Sequence, residues 1–391
     1  NFTSIFIFSS SLAFSDYVRA KILTGFPWNL WAYSTTSLNE IIQIVNIIGL
    51  YSYNLILITF FTFPIIFLFK ISNVKKIITF FSIFLTILSL YIYGNYEIKK
   101  KKKRLNSANQ RIFIKVVSPN FDLEYGLNQK DIENRFNKII RYSEPNKDKK
   151  TIFVWPEGIF SGYSFKEISI FKDLITNNFS NKHHIIFGVN RLDPESGNFY
   201  NSMLLVDSNF EIIQSYNKRK LVPFGEFLPF ENLLKKFGIK KITEGYGSFL
   251  KGGDNNNLLL NNLRILPLIC YEVIFTHLIQ KSNIDTNLVV NISEDGWFGK
   301  TIGPDQHFSK SIFRAIENGT FFIRSANKGV SAIIDNKGNI IKQLNRNEAG
   351  NLEFEVPLIK SNKIKNDLIF FVLLITYLLV FLFYRGKNAK K

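Results

Sequence analysis

The sequence holds a single cysteine, Cys270, in 391 residues, so no internal disulfide framework can brace it. Only four histidines accompany that cysteine, and no zinc-ligand spacing is present. No internal repeat occurs and no glycine-rich nucleotide loop, so phosphate-cradling folds fall away. Charge is sparse: 20% of residues are charged against 46% hydrophobic, too little charge for a disordered polymer. Acidic residues are the scarcer kind, 31 against 49 Lys and Arg, which leaves a net charge of +18. An excess of that sign can mark a nucleic-acid binder. Here the basic residues lie largely beside apolar runs, which points to an anionic membrane surface and to no nucleic acid. The chain opens on Asn1-Phe2, without Met, inside an apolar stretch, and reads as a fragment or a processed product.

Long apolar runs are what the sequence has in quantity. Residues 46–69 carry no charge over 24 positions, enough to cross ~30 Å of hydrocarbon at ~1.5 Å per residue. Residues 77–94 and 368–384 are further charge-free spans, the latter followed by Arg385, Lys387, Lys390 and Lys391. Residues 2–14 are apolar and Ser-rich, lack the basic leader and cleavage site of a secretory signal, and read as the end of another span. This organisation predicts a membrane-spanning region over 1–98 (spans near 2–14, 46–69 and 77–94), an extramembrane domain over 105–366, and a C-terminal span with a basic tail over 367–391. Lys70, Lys75, Lys76 and the basic tail place those loops in the cytoplasm and the domain on the opposite face. The run Lys99 to Arg104 pulls the other way, and the two agreeing sites outweigh it. Between the first two spans Trp28, Trp31 and Tyr33 cluster, either as headgroup-depth aromatics or as a re-entrant arm that touches a lipid.

From Arg111 the pattern changes to short apolar runs between polar, amphipathic ones. Strands are predicted at 112–119, 151–158, 184–192, 201–207, 211–220, 263–272 and 287–293, and helices at 131–144, 165–179 and 303–319, with a hairpin over 321–341. Consecutive strands without room for crossover helices imply an α/β domain of layered, mixed sheets.

Cys270 closes a buried apolar run and is followed at once by Tyr271-Glu272. A thiolate nucleophile needs a cation to lower its pKa and a base to take its proton. His277 and His307, on predicted helices, leave a Cys–His pair open. Two denser segments compete with it. VWPEG puts Glu157 just past a strand end behind Pro156, and YNKRKLVPFGEFLPF gathers Lys218, Lys220 and Glu226 around a turn. Taken singly, a Glu or Lys is ordinarily a solvated surface charge.

Taken together and in this order, Glu in WPE, Lys in YNK and Cys in ICYE resemble the Glu–Lys–Cys pattern of the nitrilase superfamily. The flanking LTGFPW (23–28), LVPFGEFLP (221–229), NISEDGWFGKTIGPDQH (291–307) and RSANKGVSAIID (324–335) resemble its membrane-embedded branch, apolipoprotein N-acyltransferase. The likeness runs from about residue 15 to the C-terminal span. It implies a nitrilase-like αββα sandwich flanked by transmembrane helices, with Glu157 as general base, Lys218 as oxyanion stabiliser and Cys270 as nucleophile. The matching Lys lies eight residues before Glu226, which selects Lys218 over Lys220. Glu226, Tyr271, Glu272 and Trp297 match supporting positions near that triad, and Trp28 sits in the lipid-facing arm.

The resemblance further implies acyl transfer from a phospholipid, through a Cys thioester, to the N-terminal amine of the diacylglyceryl-cysteine of apolipoproteins. No metal and no organic cofactor is called for. The setting implied is the bacterial inner membrane, multi-pass, with the catalytic domain on the periplasmic face. The alternatives are a membrane-tethered amidase that hydrolyses a C–N bond and a non-enzymatic membrane scaffold. The chain departs from the family in two places. Upstream membrane helices are missing, and the Gln and Trp usual in and after the first strand of the domain have no counterpart between Val117 and Leu127.

Overall fold

The computed structural model describes residues 3–69, 72–238, 247–253, 257–280, 285–361 and 367–389. Phe2, Lys70, Lys390 and Lys391, which entered the reading of spans and orientation, lie outside the described residues. Twelve strands form among the described residues: β1 (Arg111–Ser118), β2 (Thr151–Val154), β3 (His183–Leu192), β4 (Phe199–Val206), β5 (Ile212–Asn217), β6 (Leu258–Leu260), β7 (Leu263–Ile269), β8 (Leu288–Glu294), β9 (Phe321–Asn327), β10 (Ser331–Ile334), β11 (Ile340–Leu344) and β12 (Gly350–Pro357). They build two six-stranded sheets, ordered β12-β1-β2-β3-β4-β5 and β11-β10-β9-β8-β7-β6. Each sheet has a parallel trio, β1–β2–β3 in one and β7–β8–β9 in the other, and each trio is flanked by antiparallel strands.

The layering follows from alternation along the strands, because successive side chains leave opposite faces. Ile152 and Val154 of β2 meet Val290 and Ile292 of β8 between the sheets. Phe153 and Trp155 point the other way, onto Phe136 and Ile139 of the helix Gln129–Ser143. On the far side Leu266, Val289 and Phe322 pack under Phe313 and Ile316 of the helix Gly303–Asn318. The result is the expected α/β sandwich, helix–sheet–sheet–helix.

The membrane-side segments join the second helical layer. Among the described residues three helices are long and apolar enough to cross a membrane, Val45–Leu68, Asn73–Asn106 and Asp367–Gly386. Tyr33, Val45 and Tyr53 belong to the same apolar cluster as Phe313 and Ile316, so the two parts of the chain share one core. The long helix runs unbroken from the apolar span through Lys99 to Arg104 and carries the chain into the domain. Lys101 in that run is buried and donates to Gln43 Oε1 at 2.8 Å, and Arg104 donates to the Lys360 carbonyl at 2.8 Å.

Several expectations change. The helix expected over 165–179 is two short helices, Phe165–Ile168 and Lys172–Asn178, around a 3-10 turn at Ser169–Phe171. The strand expected over 263–272 stops at Ile269, and Cys270 opens a 3-10 turn instead. Likewise β5 stops at Asn217, which frees Lys218 from the sheet. The span at 46–69 is interrupted at Gly49, whose φ of 77° only glycine adopts readily, and tightens into a 3-10 turn at Phe63–Leu68, which carries Pro64. The first apolar stretch is a 16-residue helix, Ser4–Arg19.

Gly94 of the long helix abuts the carbonyl oxygen of Glu40, and a Cβ added there would stand 1.9 Å from it. In a free helix interior Gly→Ala stabilises by ~1 kcal/mol. Here the backbone cannot yield, so Gly94→Ala should destabilise by ~1–3 kcal/mol, the usual cost of overpacking. Thermal unfolding in detergent, followed by tryptophan fluorescence, should show a lower Tm. A raised Tm would mean that the two segments do not meet.

Candidate active site

Three strand ends deliver three side chains to one place. Beyond β2 the chain runs through Trp155-Pro156 to Glu157; Lys218 follows β5, and Cys270 follows β7. Because the sheets face each other, Glu157 arrives from one and Cys270 from the other. Trp155 is fully buried, with Nε1 donating to Ser143 Oγ at 2.9 Å, which fixes the approach of Glu157. Gly188 lies against it, where a Cβ would come within 2.9 Å of the Glu157 Cα.

Cys270 has φ +47°, a left-handed conformation that costs a non-glycine residue ~1–3 kcal/mol unless its surroundings impose it. Glu272 supplies one restraint. Its buried carboxylate accepts from the backbone N–H of Ile269 (2.8 Å), Arg219 (2.7 Å) and Lys220 (3.1 Å), and from the Tyr216 hydroxyl (2.9 Å). It therefore ties the cysteine turn to the segment that carries Lys218. Burial pushes the Glu272 pKa up, with the Ile269 N–H and Lys218 opposing.

Lys218 is 1% exposed. Its Nζ donates to Glu226 Oε1 at 2.8 Å and lies 3.6 Å from Glu157 Oε1. Asn201 Nδ2 bridges the same two oxygens, at 2.7 Å to Glu157 and 2.6 Å to Glu226. The outer oxygens are held by backbone, Glu157 Oε2 by Glu294 N–H (3.1 Å) and Glu226 Oε2 by Val222 N–H (2.8 Å). Burial works against the Lys218 ammonium, but Glu157 and Glu226 outweigh it and hold its pKa above the ordinary lysine value. Burial, reinforced by Glu157 and opposed by Lys218, pushes the Cys270 pKa above the ordinary thiol range. Both shifts favour a neutral thiol beside a charged lysine at rest.

A cavity of about 430 Å³ opens over these groups, walled by Phe26, Trp28, Tyr125, Phe249, Trp297 and Phe298 among others. All eight sequence-selected residues lie at or beside it: Glu157, Lys218, Cys270, Glu226, Tyr271, Trp297 and Trp28 line it, and Glu272 supports the turn from behind. The segment that lacks the family's Trp supplies Tyr125, 6.4 Å from the half-exposed Trp297. Lys220 points elsewhere, toward the Thr24 carbonyl (3.4 Å) and over the Phe275 ring.

The aromatics of the 28–33 segment differ in placement. Trp28 belongs to an arm laid on the domain: its Nε1 donates to Gln306 Oε1 at 2.8 Å, and Lys310 Nζ lies 4.4 Å over its ring. The Tyr271 hydroxyl donates to the Gly25 carbonyl of the same arm at 3.0 Å. Trp31, by contrast, is half exposed and packs on Phe61.

Asn201, Glu294, Asp295 and Arg324 escaped the sequence reading, and His307, weighed there as a thiol partner, forms a buried trio with Asp295 and Arg324. Asp295 lies 2.9 Å from His307 Nδ1 and 2.8 Å from Arg324 Nη2, and His307 Nε2 faces the Cys270 carbonyl at 3.2 Å. His307 therefore addresses the backbone of the cysteine, and not its sulfur as a Cys–His pair would require. Burial raises Asp295, but Arg324 and His307 bring its pKa well below the usual carboxylate value. Glu294, at the cavity wall beside Glu157, is pushed up to about 8 by burial. Asn201 opens an ordinary-looking strand and gives no signal; the other two acids and His307 stand inside the 291–307 motif. Among the described residues no group of three or more His, Cys, Asp or Glu is placed to hold a metal.

A family model described as carbon-nitrogen hydrolase matches residues 125–365, and one described as apolipoprotein N-acyltransferase N-terminal domain matches residues 1–63. An apolipoprotein N-acyltransferase of Rhodopseudomonas palustris is 31% identical over 361 residues, covering 89% of this chain and 67% of that protein. One of Rickettsia prowazekii is 31% identical over 388 residues, covering 94% of this chain and 75% of that protein.

A thiol held neutral by its surroundings should be alkylated without a titration step at the ordinary cysteine pKa of ~8.5. Cys270 is the only cysteine, so carbamidomethylation by iodoacetamide between pH 6 and 9.5, read by intact mass, reports on it alone. A sigmoid step at or below pH ~8.5 would reveal a resting thiolate and contradict this electrostatic account.

Proposed function

Because the chain belongs to the apolipoprotein N-acyltransferase family of carbon-nitrogen hydrolases, we propose that its site passes an acyl group from a phospholipid, through a Cys270 thioester, to the N-terminal amine of a lipoprotein. Membership carries the reaction class, N-acylation of lipoproteins. The observation that supports these residue roles is the convergence of Glu157, Lys218 and Cys270 on one cavity walled by the membrane-side arm.

In the first half-reaction the Cys270 sulfur attacks the ester carbonyl while Glu157 takes the thiol proton. The ammonium of Lys218 has three N–H donors; one is given to Glu226 Oε1 at 2.8 Å, Glu157 Oε1 lies 3.6 Å away as an ion-pair partner, and another donor meets the oxyanion. Such a donor contributes ~3–4 kcal/mol in a site closed to water. Collapse breaks the ester C–O bond, and the leaving alkoxide takes the proton from Glu157 as lysophospholipid. In the second half-reaction the lipoprotein amine attacks the thioester, Glu157 takes an amine proton, and the C–S bond breaks. That proton returns to sulfur and regenerates the thiol. Asn201 and Glu226 keep Glu157 and Lys218 in register throughout.

The hydrolytic alternative is not favoured, since the match at residues 1–63 covers the arm that walls the cavity. The setting we assign is the bacterial inner membrane, with the domain on the periplasmic face. Lys75 and Lys76 at one end of the long helix support that side. At its other end Lys101 and Arg104 are used to seat the domain.

Incubated with labelled phospholipid, the wild-type chain should gain the mass of one acyl group, and Cys270→Ser should gain none. A serine hydroxyl is too weak an acid for this site to activate. Acylation of the Ser variant at a comparable rate would remove Cys270 from the nucleophile role. Sidedness is testable separately. In a Cys270→Ser background, Glu195→Cys places a thiol on the exposed turn between β3 and β4. A membrane-impermeant maleimide should label it in cells whose outer membrane alone is permeabilised. Labelling only after inner-membrane lysis would place the domain in the cytoplasm.

A further inference from the structure

The left-handed turn at Cys270 is restrained from two sides, and only the Glu272 side belongs to the domain alone. The other restraint is His307, whose Nε2 lies 3.2 Å from the Cys270 carbonyl oxygen and holds it when protonated. His307 is fully buried and held on its opposite edge, Nδ1 lying 2.9 Å from Asp295 Oδ1 and 3.1 Å from Arg324 Nη2. One face of its ring is covered by Trp28, with centroids 5.5 Å apart and planes 21° apart. Trp28 arrives from the membrane-side arm and is fixed by Gln306, the residue before His307 on the same helix. A continuous set of contacts therefore runs from the arm, through one imidazole, to the backbone of the reacting residue.

We infer that His307 is a positioning residue through which the membrane-side arm sets the conformation of the Cys270 turn. The inference rests on Cys270 being the nucleophile. It assigns His307 no proton transfer; the ring supplies one hydrogen bond and transmits the placement of Trp28. A merely packed histidine would be replaceable by any residue that keeps the fold. A positioning one requires a donor toward the Cys270 carbonyl, which the amide of a glutamine side chain also provides.

The test uses the full chain in mixed micelles, with phospholipid as acyl donor at varied mole fraction and the thioester read by intact mass. His307→Ala should lower the saturating rate of thioester formation at least tenfold and leave the half-saturating mole fraction within twofold of wild type. His307→Gln should recover most of the lost rate. Trp28→Ala should also lower the saturating rate, and the double variant Trp28→Ala/His307→Ala should be no slower than His307→Ala alone. Three results would overturn the inference: a His307→Ala effect confined to half-saturation, a Gln variant no better than Ala, or losses that multiply in the double variant. If His307→Ala does not fold, the Gln and Trp28 variants decide between the same outcomes. Absence of any thioester in the wild type would overturn the nucleophile reading and this inference with it. A thioester in the wild type, undiminished by the His307 changes, would overturn this inference alone.

Discussion

A lysine ammonium withdrawn from water must be surrounded by anions, and much of the site follows from meeting that demand for Lys218. Two carboxylates satisfy it, and each would be costly to bury without the cation. Asn201 is what lets both approach one ammonium, since its amide donates to an oxygen of each. Backbone N–H groups of Val222 and Glu294 take the oxygens that remain, so the charges are pinned by main chain of the loop after β5 and of β8. Taking away a single partner of such a cluster costs ~3–5 kcal/mol, because it strands the others. The same arrangement suits the proposed chemistry. A fixed cation next to a fixed base needs no rearrangement when charge develops on the substrate.

The sandwich was legible because short apolar runs such as β2 and β8 stand between amphipathic segments such as the helix Gln129–Ser143. The three residues proposed to react were singled out because each stands in a distinctive motif at a strand end, and the fold brings them to one cavity. Asn201 was not, since an Asn at the start of an apolar strand looks like any strand boundary; its meaning comes from the β3–β4–β5 register that aims it at Glu157. His307 was visible but its role was not. From sequence a histidine near a cysteine suggests a thiol partner, and only the folded turn reveals that its carbonyl is the group addressed. The extent of the 263–272 strand was overestimated for a related reason. The apolar run continues past Ile269, but Glu272 bonds back to the Ile269 N–H and closes a turn there. The strand β12 has the required alternation in Leu352, Phe354 and Val356; it pairs with β1, far away in sequence, and no local turn announces it.

Membrane-side and extramembrane parts do not meet as two finished surfaces. Tyr33, Val45 and Tyr53 lie in the same core as Phe313 and Ile316, and Lys101 reaches Gln43 across the junction. Gly94 allows two backbones to touch where any side chain would hold them apart. The arm Gly25-Phe26-Pro27-Trp28 is thereby fixed against the cysteine turn and not merely tethered near it.

With a phospholipid as the donor, a cavity whose wall includes Phe26 and Trp28 of the membrane-side arm would draw on the bilayer rather than on the surrounding water. For such an enzyme the effective dose of acyl donor is its share of the lipids, a two-dimensional quantity that dilution of the suspension leaves unchanged. Adding an inert detergent or a non-substrate lipid would slow turnover without removing any donor from the tube. Bulk molarity would then be the wrong axis on which to compare donors. Differences in headgroup or chain length would become readable only at matched surface composition.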